Sequence, residues 1–165
     1  MIEETDFETF LYISKNKYQI FVYDKYNLKN LYESQLKIND DIDLNFLSKF
    51  LDENIYKIEK IVSNFVRDII LIIDDDKIFN TNISLKKKNY NKHIDQKYLE
   101  NNLKEVKDIF IESYQDQVIM HMVIVNKADA NEDYSYLEVN FISISNNFTL
   151  IFDKLLENHQ IKIRK

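Results

Sequence analysis

The chain has 165 residues, a formal net charge of −6, and no glycine, proline or cysteine. Phosphate loops, dinucleotide fingerprints and nucleophile elbows need glycine, and disulfides and thiolate metal sites need cysteine, so these classes of site are excluded. The acidic balance argues against nucleic-acid binding, and an acidic N-terminus without a long apolar run argues against a leader or membrane insertion, so we expect a cytoplasmic protein.

The first part of the chain predicts three short strands. Alternating side chains indicate strands at residues 9–14, 18–24 and 31–38, and asparagine-containing turns between them favour an antiparallel meander. Without glycine these turns must use Asn, Asp, Lys or Ser, among which Asn and Asp best tolerate a positive φ.

A helix is predicted from residue 44 to about residue 66, with Asp43 as its N-cap. Apolar residues at three- and four-residue spacing indicate its buried stripe: Leu47, Phe50, Leu51, Ile58, Ile61, Val62 and Phe65. Residues 69–73 then form a continuous apolar run between charges, which is typical of a strand buried on both faces at the centre of a sheet.

A strand, a loop and a second helix are predicted next. Residues 78–85 indicate the strand, and residues 86–92 a basic, asparagine-rich loop that is the best candidate boundary between two units. The helix covers residues 95–113, with Asp95 as its N-cap, and its buried face is predicted to contain Leu99, Leu103, Val106 and Phe110.

The last part of the chain predicts two strands, a third helix and a final strand. The strands cover residues 117–126 and 134–145, the helix residues 146–159, and the final strand residues 161–163. The buried face of this helix is predicted from Phe148, Ile151, Phe152 and Leu155. The order of elements predicts an α+β fold in which helices cover a sheet.

Three consecutive carboxylates, Asp74, Asp75 and Asp76, follow the apolar strand. Ligands of open sheets bind at strand carboxyl ends, and carboxylates can coordinate Mg²⁺ or Ca²⁺. Consecutive side chains point in different directions, however, and calcium loops space their ligands at alternate positions around a glycine. A solvated turn is therefore favoured over a metal site.

The three histidines, His93, His121 and His159, match no zinc-ligand spacing. His121 alternates with Ile119 and Val123, which favours a buried, hydrogen-bonded histidine. His93 is expected in a loop and His159 at a helix end, where its charge suits the helix dipole.

Two further groups have a functional and a structural interpretation. The basic run Lys86–Lys87–Lys88 with Tyr90 could contact nucleic acid, although a solvated loop fits an acidic protein better. Tyr134 and Tyr136 could be exposed anchors for a partner, and packing at a sheet edge explains them equally well. No serine lies on a strained turn that would present a nucleophile, so the residues indicate no enzyme.

The order of elements, with short apolar patterns at residues 78–85, 94–99, 118–124 and 137–144, resembles FtsA, the actin-like bacterial cell-division family. A histidine in an apolar strand after the helix is typical of its inserted strand–helix–strand–strand subdomain. Pilus-assembly proteins with an actin-like core share a similar layout. The resemblance implies a partial actin-like, ribonuclease H-like sheet at residues 1–78, the inserted subdomain at 79–160, and the start of a further strand at 161–165.

The resemblance also implies where a nucleotide would bind in the family, namely at the first hairpin. There the chain reads Tyr12-Ile13-Ser14-Lys15-Asn16-Lys17, without the family's aspartate and glycine. We therefore expect a degenerate phosphate-loop position at Ser14, Lys15, Asn16 and Lys17, and no bound cofactor unless a missing half completes an ATP site.

The function implied by the resemblance is a non-catalytic cell-division protein that acts through protein–protein contacts. The expected partners are other division proteins and further copies of this chain, with the interface on residues 79–160. The alternative is the N-terminal part of an actin-like ATPase of cell division or pilus assembly. A third interpretation is an unrelated α+β binding module whose order of elements matches by chance.

Overall fold

The computed structural model describes residues 6–39, 42–88, 96–128 and 134–164. In chain order the elements are β1 (Phe7–Ser14), β2 (Lys17–Asp24), β3 (Lys29–Lys37), α1 (Leu44–Val62), β4 (Asp68–Asp74), β5 (Phe79–Lys88), α2 (Gln96–Ser113), β6 (Gln117–Ala128), β7 (Tyr134–Ser145), α3 (Asn146–Glu157) and β8 (Lys162–Ile163).

The chain forms two compact units. The first contains Met1–Asp75 and Leu150–Lys165, and the second contains Asp76–Thr149. The division into domains at residue 78 that the sequence suggested stays a prediction. Asp95, His93 and Tyr90 lie outside the described residues, as does the second half of the predicted loop at 86–92.

The first unit contains a five-stranded sheet in the order β3-β2-β1-β4-β8. β1, β2 and β3 form an antiparallel meander, whereas β4 pairs parallel with both β1 and β8. The predicted meander and final strand are therefore confirmed. The prediction that the apolar run forms the centre of the sheet was wrong, because β1 occupies that place and β4 lies beside it.

Along β2, one face of this sheet is buried and the other is half-open to solvent. Burial alternates along β2, where Tyr18, Ile20 and Val22 have no exposed surface and the residues between them are half-buried. The prediction that residues 69–73 are buried on both faces was wrong. Ile72 is 39% exposed because it pairs with Tyr12 on the half-open face.

Helix α1 lies against β2 and β3 and is fixed at its first turn. The Asp43 carboxylate accepts hydrogen bonds from the Asn45 and Phe46 amides at 2.7 and 3.2 Å, which confirms the predicted N-cap. The Tyr18 hydroxyl donates to the Asp43 carbonyl and accepts from the Asp43 amide. Burial raises the pKa of Tyr18 because it disfavours the phenolate.

The helix ends earlier than its apolar pattern predicted. Ser63 adopts a left-handed conformation (φ 52°) and ends the hydrogen-bonded turns after Val62. Phe65 lies beyond this cap and is 73% exposed, and Ile61 lies beside the buried stripe and is exposed as well. Both were wrongly predicted to be buried. The stripe consists of Leu47, Phe50, Leu51, Asn54, Ile55, Ile58 and Val62.

The second unit contains an antiparallel sheet in the order β5-β7-β6, with α2 packed on β5 and β7. The rings of Phe110 on α2 and Phe141 on β7 stack with centroids 4.6 Å apart. The prediction for the face of α2 is confirmed, since Val106 and Phe110 are buried and Leu99 and Leu103 pack against them. The core cluster consists of Val106, Phe110, Leu137, Val139 and Phe141.

Two predictions in the second half were wrong. Lys86, Lys87 and Lys88 belong to strand β5 and not to a loop. On α3 the predicted Ile151 is exposed, and the buried residues are Phe152 and Leu156, which are four positions apart and therefore lie one turn from each other on the same side of the helix.

The positive-φ positions of the turns are occupied by residue types that the sequence did not indicate. Among the described residues a positive φ occurs at Leu28, Ser63 and Gln160, none of which is Asn or Asp. In the β2–β3 turn, Asp24 instead accepts hydrogen bonds from the Tyr26 and Asn27 amides, both at 2.9 Å. The hydrogen bond from the Asn27 side chain, together with these two bonds, lowers the pKa of Asp24.

Candidate functional site

The β1–β2 turn and the carboxyl end of β4 lie at the same end of the five-stranded sheet. The parallel register pairs Ser14 with Asp74, so both strands finish side by side. The carboxyl ends of adjacent parallel strands are where open sheets usually bind ligands. The structure therefore brings together the predicted phosphate-loop position and the first residue of the carboxylate run.

The turn itself closes on its own side chains. Ser14 is buried, and its hydroxyl donates to Asn16 Oδ1 at 2.7 Å and to the Lys17 carbonyl at 3.3 Å. Lys15 and Asn16 are exposed. Their φ values are negative, since positive φ among the described residues occurs only at three other positions. An anion-binding nest of successive N–H groups commonly pairs right- and left-handed residues, and this turn lacks that pairing.

Three contacts, made by Asn16 and Lys17, fix the turn to its surroundings. The Asn16 carbonyl accepts a hydrogen bond of 2.9 Å from the Ile38 amide, just after β3. The Lys17 ammonium donates to Gln19 Oε1 at 3.0 Å and lies 4.8 Å from the centre of the Tyr12 ring. The Lys17 side chain therefore lies along the half-open face of the sheet, in contact with Gln19 and Tyr12.

Asp74 accepts a hydrogen bond from Tyr12, which is 62 positions away in the sequence. The Tyr12 hydroxyl donates to Asp74 Oδ2 at 2.7 Å, and this hydrogen bond raises the pKa of Tyr12 because it favours the protonated phenol. Sequence reasoning missed this pair, since only the β1–β4 register brings the two residues together.

The three carboxylates do not form a uniform cluster. Asp74 and Asp76 are exposed, whereas Asp75 is buried, so the prediction of a wholly solvated turn was wrong for Asp75. Within residues 6–39, 42–88, 96–128 and 134–164, no group of three or more His, Cys, Asp or Glu side chains has the geometry to bind a metal ion.

The two described histidines have different surroundings. His121 is exposed, so the prediction of a buried histidine was wrong. Ile119 pairs with Ser143 and His121 with Ile142, so Met120 is an extra residue that shifts the alternation of β6. His159 follows α3 and is mostly buried, with Nδ1 3.6 Å from Asp52 Oδ1 on α1.

The basic and aromatic residues of β5 and β7 contact one another. Lys86 lies 4.6 Å from the centre of the Tyr134 ring, and Lys87 binds Asn102 and Glu105 on α2. The Tyr136 hydroxyl contacts Ser84 and donates to Glu138. Tyr134 and Tyr136 lie on the central strand β7, so the prediction that they pack at a sheet edge was wrong. The prediction of a solvated loop was wrong for Lys86–Lys88, which lie in β5.

Among the described helices, none combines the length and the apolar composition that crossing a membrane requires.

Comparisons with known proteins find structural similarity without detectable sequence similarity. No protein-family model matches the chain, and no curated protein matches it. The solved structures include a PilM–PilN type IV pilus biogenesis complex, with a TM-score of 0.62 and 8% identity over 96% of this chain and 46% of that one. A Bacteroides thetaiotaomicron protein of actin-like ATPase fold and unknown function matches with 11% identity over 98% of this chain and 52% of that one, at a TM-score of only 0.38, which is too weak to bear on the fold.

The actin-like α+β fold is confirmed by the sheet order and the similarity to the pilus complex. These findings support the actin-like fold in general and do not single out FtsA. The chain spans about half the length of the solved chains it matches, with 46% and 52% of them covered.

Proposed function

We propose that this chain is a non-catalytic, actin-like interaction protein of the cytoplasm, with a degenerate nucleotide site at Ser14–Lys17. The supporting observation is the closed β1–β2 turn. Its serine hydroxyl already bonds Asn16, and its backbone has no left-handed residue. A phosphate would meet side chains with Cβ atoms where a glycine-containing loop leaves room for close approach.

The test is a titration of the purified chain with a fluorescent ATP analogue in the presence of Mg²⁺. We expect no saturable signal, while an intact actin-like ATPase gives one under the same conditions. Tight, saturable binding that unlabelled ATP displaces would contradict the degenerate site.

We infer that the contacts serve a multiprotein assembly, with cell division as the first candidate. The FtsA-like order of elements supports this role, and the interface would lie on residues 79–160. A binary binding assay with purified FtsZ, the tubulin-like division protein, and with other division proteins tests it. Absence of binding to every division protein in this panel would contradict the division role.

A role in pilus assembly is the alternative within the same class of function, and the similarity to a PilM–PilN complex supports it. Adding a purified PilN-type protein to the same binding assay separates the two roles. Binding to that protein alone would favour pilus assembly over division.

A second class of function is the N-terminal part of an actin-like ATPase. The supporting observation is that the chain covers only 46% of the solved chain in the pilus complex. Reading the gene past the codon of Lys165 for a second phosphate loop tests this candidate. If such a segment exists, the joined protein should bind ATP, whereas this chain alone should not.

A further inference from the structure

The described sheets have four edge strands, and three of them have features that prevent pairing with another chain. Edge strands present unpaired N–H and C=O groups, and proteins protect them with charged side chains or by keeping them short. β3 contains Lys29, Glu33 and Lys37, β5 contains Lys86–Lys88, and β8 has two residues.

The fourth edge strand, β6, has a single charged residue, Lys127, near its end, and two register shifts that divide it. Residues 117–126, which we call the β6 strip, contain no Lys, Arg, Asp or Glu in a chain that is 30% charged. The described part of the chain pairs β6 with β7 alone. Four apolar side chains of the strip are exposed: Met120 by 42%, Val123 by 49%, Ile124 by 41% and Val125 by 54%.

The strip also contains a regular segment that can accept a further strand. Register shifts occur between Ile119 and His121 and between Ile124 and Asn126. Between these bulges, four consecutive residues from His121 to Ile124 pair in unbroken register with β7. Their outward N–H and C=O groups therefore keep the spacing of an ordinary antiparallel strand.

We propose that β6 pairs antiparallel with β6 of a second copy of this chain, which joins two three-stranded sheets into one of six strands. An antiparallel edge strand can present the same surface to its own copy about a two-fold axis. Because each copy has a net charge of −6, two copies approach most easily along an uncharged, apolar strip. The proposal deepens the proposed function and rests on its premise that the chain acts through protein contacts.

The chain provides a matched pair of positions for the test. Val123 on β6 and Asn82 on β5 both pair with Asn140 of the central strand, from opposite sides. Both side chains are exposed, so Val123→Lys and Asn82→Lys add the same charge to the same face at opposite edges. In the proposed dimer Val123→Lys places two ammonium groups near the two-fold axis.

The experiment is sedimentation equilibrium over a range of concentrations. We expect a reversible dimer for the unmodified chain and for Asn82→Lys, and for Val123→Lys a dissociation constant raised by more than about tenfold. Far-ultraviolet circular dichroism checks that each variant is folded. If Val123→Lys fails to fold, His121→Lys, at an exposed position of the strip, replaces it with the same expectation.

A monomer at every concentration, or a dimer that Val123→Lys leaves intact, would overturn the proposal. A monomer that still binds division or pilus proteins would leave the proposed function standing. A β6 dimer that binds none of these proteins would support pairing through the β6 strip and would contradict the proposed role in a division or pilus assembly.

Discussion

The β1–β2 pair and the β6–β7 pair are both antiparallel, yet burial along them follows different rules. β1 and β2 stay in unbroken register from Phe7 opposite Asp24 to Ile13 opposite Tyr18, and burial alternates strictly along β2. β6 contains two register shifts, and its exposed residues do not alternate. A period-two pattern therefore predicts burial in a continuous ladder and fails where an extra residue enters the strand.

The two units also differ in what fills their cores. The first unit buries mainly aliphatic residues against α1, whereas the second centres on stacked aromatic rings beneath α2. Substitutions in each unit test this difference.

The largest effect is expected from Phe110→Ala in the second unit. Removing a fully buried ring that stacks on Phe141 should lower the free energy of unfolding by about 3–5 kcal/mol. Urea denaturation measures this change. The control is Ile111→Ala, at an exposed position of the same helix, which should cost far less. Equal costs for the two variants would contradict the aromatic core.

A smaller effect is expected from Tyr32→Phe in the first unit. The Tyr32 hydroxyl donates to buried Asn54 Oδ1 at 2.6 Å and connects β3 to α1. Its loss leaves a buried acceptor without this donor, so the free energy of unfolding should fall by about 1–3 kcal/mol. Tyr26→Phe, at an exposed turn residue, is the control and should be near neutral. A neutral Tyr32→Phe would show that this contact does not stabilise the unit.

The N-cap of α1 gives the next effect. Asp43→Ala removes the acceptor for two backbone amides and should cost about 0.5–2 kcal/mol in thermal or urea unfolding. Asp43→Asn keeps an oxygen acceptor and should retain most of the stability. Similar losses in both variants would mean that the charge of Asp43, and not its capping bond, is responsible.

The smallest effect is the pH dependence from Asp24. Its pKa lies below the ordinary value of 3.8, so the unfolded chain binds a proton more readily than the folded chain near that pH. The contribution of Asp24 to stability is present above the ordinary value and is lost as the pH falls through the lower, folded-state pKa. Urea unfolding between about pH 6 and pH 2 should show a shallower acid loss for Asp24→Asn than for the parent chain. Identical slopes would contradict this assignment.

Sequence patterns predicted the elements of this fold better than their ends and pairings. The N-cap at Asp43 could be recognised because a cap is a local signal. The end of α1 could not, since Ser63 adopts a conformation that its residue type disfavours.

The candidate site shows the same limit. Residues 14–17 could be selected only through the resemblance to FtsA, which places a nucleotide at the first hairpin. Their position beside Asp74 depends on a parallel pairing that no local pattern specifies. The exposed strip of β6 had a sequence signal, namely ten consecutive residues without an acidic or basic side chain other than His121.

The three left-handed residues in the described part of the chain define where mutation could improve the protein. Leu28, Ser63 and Gln160 occupy a region in which a Cβ atom crowds the backbone, at a cost of roughly 1–2 kcal/mol per residue. A glycine arising by chance at one of them would relieve that crowding, whereas in a strand or helix interior it would loosen the chain. Among single substitutions to glycine, those at these turns are therefore the ones expected to stabilise the chain.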